Sequence, residues 1–193
     1  TDHSSLNTIR AVQEAGDLNR SVRLILDRMS EDVRGAYLSY FTTQSVLVSF
    51  AFIGEDHWDG AYQDDTLNFT SAAGRLYESN SARSIFSEIG YYLEKDPQSG
   101  QKRLMRRESP EVDQDVKSGG SIYELGAGIL GLDIKYLDAN NKTWDFWDST
   151  SVEHTKKLPR VVEIHLIMAR GDDRSDLPPH EFTTKVFLEM AQP

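Results

Sequence analysis

Leu18 to Ala36 reads LNRSVRLILDRMSEDVRGA, and the spacing of its apolar residues decides the fold. Val22, Ile25, Met29, Val33 and Ala36 follow Leu18 at steps of three and four, which places all of them on one face of an α-helix. The face continues less cleanly backwards through Val12 and Ile9. Arg10, Glu14, Asp17, Arg20, Arg23, Asp27, Arg28, Glu31 and Asp32 supply a polar surround. Gly16 is the weak point, costing about 1 kcal/mol relative to alanine. The pattern predicts a helix from about Ser5 to Tyr37, so that residues 1–38 form the helical segment. At 1.5 Å per residue it would be about 45 Å long, more than a domain of this size covers, and part of it is expected to project.

Beyond Ser39 the steps of three and four give way to alternation and short apolar runs, the signature of strands. Gln44 to Ile53, Thr66 to Thr70, Glu88 to Glu94 and Lys102 to Arg107 are strand candidates, the last two joined by the turn residues Asp96-Pro97-Gln98-Ser99-Gly100. Leu130, Leu132, Ile134 and Tyr136 alternate with mostly polar residues. Asp138 to Lys142 then turns the chain into a returning strand, Thr143 to Asp148. Val162, Ile164, Leu166 and Met168 form another inward set, as do Phe182, Thr184, Val186, Leu188 and Met190. Alternating strands joined by short turns predict an antiparallel body over residues 39–193. Glu108 to Gly120 and Arg170 to His180 are rich in Asp, Ser, Gly and Pro and read as exposed loops. The expected class is α+β, with residues 1–193 forming one domain.

With 21 basic against 31 acidic residues the formal charge is −10, which repels phosphate backbones and anionic lipid surfaces. Nucleic acid is therefore not an expected partner. The absence of cysteine rules out disulfides, thiolate metal sites and a cysteine nucleophile. Val46 to Ile53, the longest nearly apolar run, is far below the roughly 20 residues that span a bilayer. The chain opens at Thr1 without a basic n-region or an apolar h-region and reads as a processed or trimmed product.

Candidate chemistry is sparse. Glu55, Asp56, Asp59, Asp64 and Asp65 offer hard oxygen ligands but lack the ordered spacing of a calcium loop, so a solvated acidic loop is the expectation. His57, His154, His165 and His180 have no zinc-site spacing. No serine or threonine sits in a nucleophile elbow or an S-x-x-K pair. Gly126-Ala127-Gly128 precedes a strand instead of leading into a helix, so a turn or bulge is expected and a phosphate loop is not. Trp144, Phe146 and Trp147 read either as core or as an aromatic binding platform, for instance for sugars. Leu6, Ile9 and Val12 lie where no domain remains to cover them, and exposed apolar positions at helical spacing are what a partner helix buries.

In order and pattern the chain resembles the minor pseudopilins of bacterial type II secretion, and among them the J-type subunit. The amphipathic stretch from Leu18 is similar to the second part of the family's prepilin-type helix, whose apolar first part anchors in the inner membrane. Ile89-Gly90-Tyr91-Tyr92-Leu93 and Leu104-Met105-Arg106-Arg107, followed by Glu108-Ser109-Pro110, resemble the J-type hairpin. More specific is GLDIKYLDANNKTWDFW from Gly131 to Trp147, succeeded by Leu158-Pro159-Arg160-Val161-Val162-Glu163-Ile164. The resemblance spans about residues 8–190. It implies a pilin-like fold, a long helix on antiparallel sheet, and a structural role; no catalytic residue or cofactor is expected, and the calcium sites of other pseudopilins are not carried over because no ligand motif matches. It further implies assembly with I- and K-type minor pseudopilins at the pseudopilus tip, in the periplasm, with membrane attachment only through an N-terminal helix. The positions expected to contact partners are Leu6, Ile9, Val12, Arg10 and Glu14. The alternatives are a minor pilin of a type IV pilus and a periplasmic ligand- or carbohydrate-binding module using Trp144 and Trp147.

Overall fold

The helical periodicity is realised as α1, Asp2–Arg34, with Val22, Ile25, Leu26, Met29 and Val33 turned into the core. The computed structural model describes residues 2–38, 50–72, 85–170 and 177–189, with side chains from Thr8 onward. α1 stops short of the expected 38 because the chain leaves it at Gly35, the residue type least suited to a helix interior after proline. Ala36 forms a bridge with Ser71, and the Tyr37 N–H donates to the Thr70 carbonyl, so these residues join the sheet.

Eleven strands follow among the described residues: β1 Phe52–Glu55, β2 Trp58–Asp59, β3 Tyr62–Gln63, β4 Thr66–Ser71, β5 Ser87–Lys95, β6 Lys102–Ser109, β7 Ser121–Leu137, β8 Thr143–Trp144, β9 Trp147–Asp148, β10 Val161–Met168 and β11 His180–Phe187. Every strand pairing is antiparallel, in the order β11-β10-β7-β6-β5-β4-β1-β9, with β8 on β7 and with β2–β3 as a separate hairpin. Of the expected strand Gln44 to Ile53, residues 44–49 lie outside the described residues. Met190 and residues 171–176 of the second expected loop do so too.

β7 is longer than alternation alone predicts, and it joins the two halves of the sheet. Its first half, Ser121–Ile129, pairs with β6, and its second, Ile129–Leu137, with β10. The Gly126-Ala127-Gly128 stretch lies inside this strand, where the register with β6 slips twice and Gly128 takes φ 71°. A Cβ on Gly126 would stand 2.6 Å from Ile25 Cδ1, so the tip of that side chain rests directly over the glycine. Leu130 does not belong to the inward set. Ile167 pairs with Gly131 and Met168 with Ile129, which leaves Leu130 as the extra residue of a bulge while Ile129 enters the core.

The return strand Thr143 to Asp148 is broken in two. Trp144 pairs with Tyr136 on β7, and Trp147 with Gly54 on β1. One short stretch thus bridges two strands from opposite sides of the sheet and draws it round on itself. Phe52, Phe69, Tyr136 and Trp147 meet inside, with ring centroids 5.5 to 6.3 Å apart.

Candidate interaction site

Residues 8–17 of α1 are exposed on every side, and Leu18 is the first that packs against the core. Ile9 and Val12, 53% and 68% exposed, stand one turn apart on a single stripe. Arg10 and Glu14 are exposed beside them. The side chain of Leu6 lies outside the described residues. Among the described residues nothing covers this apolar stripe, and its burial needs a further surface.

The embedded part of α1 is fixed by a buried ionic cluster that residue type alone conceals. Asp32, assigned by type to the polar surround, is 2% exposed. Its carboxylate accepts Arg106 Nε at 2.7 Å and Nη2 at 3.1 Å, and the Tyr91 hydroxyl donates to it at 2.5 Å. Arg106 Nη1 also donates to Glu108 at 2.7 Å and contacts the Tyr123 hydroxyl. Burial by itself would weaken the hold of Arg106 on its proton. The bonds to Asp32 and Glu108 outweigh it, and the guanidinium is held above its ordinary range. Two sequence signals point to the pair: Asp32 lies three residues after Met29 on the buried face, and Arg106 shares strand parity with Leu104.

Of the acidic residues from Glu55 to Asp65, all but Asp56 have partners within the chain. Glu55 pairs with Lys117 at 2.7 Å, and Asp59 with Lys102 at 2.8 Å and Lys95 at 3.0 Å. Asp64 stands 3.6 Å from Lys102, and Asp56 is exposed. Among the described residues no three His, Asp or Glu side chains are placed to hold a metal ion. Asp65 is fully buried and accepts the backbone N–H groups of His57 and Ile134 at 3.1 and 2.7 Å. Burial nevertheless pushes its carboxyl up to about 7.

That shift has a sign that can be measured. The folded chain holds the Asp65 proton more tightly than the unfolded chain, so this contribution to stability is complete below about pH 4. It is lost as pH rises through about 7. Urea denaturation at pH 5, 6.5 and 8 is expected to show the advantage of wild type over Asp65→Asn shrinking toward high pH. A constant or growing advantage would contradict it.

Trp144 and Trp147 line a cavity of about 360 Å³ with Asp138 and His154, and most of their ring surface is already engaged within the chain. Trp147 is 1% exposed, its indole stacked on His154 at 3.9 Å and its Nε1–H donating to the Lys157 carbonyl. Trp144 donates to Asp138, and Lys142 Nζ sits 3.6 Å from its ring centre. Phe146 is exposed and Trp144 half-buried, whereas Trp147 offers almost no surface of its own. The histidines are likewise scattered: His57 is exposed, His165 is held by Glu163 and Thr183, and His180 begins β11.

The profile of the family described as type II secretion system (T2SS), protein J matches residues 3–177. The chain belongs to this family. It is a J-type minor pseudopilin, and the pilin-like arrangement of one long helix on antiparallel sheet is the fold that the resemblance implies. A chain in the crystal structure of the GspK-GspI-GspJ complex from the enterotoxigenic Escherichia coli type 2 secretion system matches it with a TM-score of 0.55 at 13% identity. The match covers 90% of this chain and 98% of that one, and at this identity it speaks for the fold alone. No curated protein sequence matches the chain. No helix among the described residues of this J-type pseudopilin is long and apolar enough to cross a membrane.

Proposed function

We propose that this J-type pseudopilin is a non-catalytic building block, and that residues 1–193 act as one unit on the periplasmic side of the inner membrane. Its partners in this reading are the I- and K-type minor pseudopilins at the pseudopilus tip, contacted through the α1 stripe of Leu6, Ile9 and Val12 flanked by Arg10 and Glu14. The observation that carries the reading is the exposure of Ile9 and Val12 on a helix whose remaining apolar face is buried. The matched chain comes from a complex of GspK, GspI and GspJ, which supports the choice of partners.

The test mixes the chain with soluble I- and K-type domains of the same secretion system and measures association. The double substitution Ile9→Asp/Val12→Asp is expected to weaken the complex at least about tenfold, as loss of two buried aliphatic anchors does. Its melting temperature should stay at the wild-type value, since neither side chain packs on the core. Absence of a wild-type complex at about tens of micromolar, or a variant that binds as well as wild type, would defeat the proposal.

A further inference from the structure

β11 is the last strand on its side of the sheet, and its outer edge is unpaired among the described residues. Such an edge presents a row of N–H and C=O groups ready to pair, and folded proteins ordinarily blunt it with proline, a bulge, brevity or an outward lysine. β11 uses none of these. It runs eight residues without proline and pairs with β10 in unbroken register, from Val161↔Phe187 to Met168↔His180. Its one lysine, Lys185, is drawn back onto β10 by Glu163 at 2.9 Å. At 3.3 Å per residue the edge offers about 26 Å of backbone.

Along this edge lies a groove of about 620 Å³ between β11 and α1. Its β11 wall is Phe182, Thr183 and Thr184, consecutive residues whose side chains leave opposite faces of the sheet, so the groove follows the strand's edge and not merely one face. Val22 and Leu26 give the opposite wall an apolar footing, and Arg20 and Arg23 stand at its mouth. Neither arginine has an ion-pair partner among the described residues, whereas Arg28, further along the same helix, pairs with Asp32. In a chain of formal charge −10, two uncommitted guanidinium groups one turn apart, with Asp27 as the one acid lining the groove, make a locally basic opening.

We infer that the outer edge of β11 receives an extended, carboxylate-bearing segment of a partner pseudopilin as an additional strand. Its backbone pairs with β11, apolar side chains settle in the groove beside Phe182 and the edge of Leu26, and its acidic side chains meet Arg20 and Arg23. The inference rests on the reading of this chain as an assembly subunit but uses another surface. Arg20 lies about 16 Å along α1 from Ile9 at 1.5 Å per residue.

Hydrogen exchange read by mass spectrometry, on the chain alone and with the soluble I- and K-type domains, separates the two claims. The outward amides of His180–Phe187 are expected to exchange at least about tenfold more slowly in the complex. Arg20→Glu/Arg23→Glu, two exposed positions, should weaken the complex at least about tenfold and leave the melting temperature unchanged. A complex that forms with β11 exchanging as before overturns the added strand and leaves the assembly role standing. A complex that binds the charge-reversed variant as tightly as wild type overturns it too. If neither domain binds at all, the assembly reading falls and the added strand falls with it.

Discussion

Asp32→Ala is expected to cost about 3–5 kcal/mol of folding stability, the loss typical when one partner of a buried ion pair is removed. The lost bonds are the smaller part of that cost. Arg106, 1% exposed, would keep its charge with only Glu108 to balance it, and the Tyr91 hydroxyl would lose its acceptor. The double replacement Asp32→Leu/Arg106→Met removes both charges and leaves apolar groups of similar bulk in their place. It should lie closer to wild type than Asp32→Ala does. Urea denaturation of the three proteins measures this, and a loss below about 1 kcal/mol for Asp32→Ala would show that the cluster does not hold the helix.

Gly54→Ala should be nearly as severe, at about 3 kcal/mol, for a steric reason. A Cβ there would stand 1.9 Å from the Tyr136 hydroxyl oxygen and 2.4 Å from Cζ. Neither side can yield easily. Gly54 is held in β1 between Leu67 and Trp147, and the Tyr136 ring is packed edge-to-face on Phe52. Tyr136→Phe removes the nearest colliding atom, which has no hydrogen-bond partner among the described residues. Alone it is expected to stay within about 1 kcal/mol of wild type, and combined with Gly54→Ala it should recover part of the loss, because Cζ remains. Strict additivity of the two changes in thermal denaturation would contradict this contact.

Much of this architecture is legible in residue spacing. Val22, Ile25, Met29 and Val33 declare a helical face, and Val162, Ile164, Leu166 and Met168 a strand face, because burial on one side imposes the period of each element; Ala36 keeps the spacing but belongs to the sheet. Asp32 is misread when residue type is allowed to override position. Its spacing from Met29 puts it on the buried face, and a charge there signals an opposite charge elsewhere in the core. Leu130 is misread because a period of two cannot reveal an extra residue, although Gly128 with its positive φ is the sort of residue that bulges recruit. Trp147 shows the limit of composition: an aromatic residue in a two-residue strand gives no parity to follow, and its burial comes from the sheet curling round. The exposed Ile9 and Val12 are visible from the length of the helix against the size of the domain. The β11 groove is not visible, since its walls come from opposite ends of the chain and strand order is not written in local pattern.

That separation of the groove's walls also sets a timetable. α1 leaves the ribosome before every strand among the described residues, yet β11, which walls it at Val22 and Leu26, is the last of those strands. The sheet closes late as well, since Ile53 on β1 waits for Asp148 on β9. At about 5–20 residues per second, the interval between helix and covering strand is on the order of ten seconds. Throughout it Val22 and Leu26 lack the wall that β11 gives them, so this end of the helix face is the last to be covered.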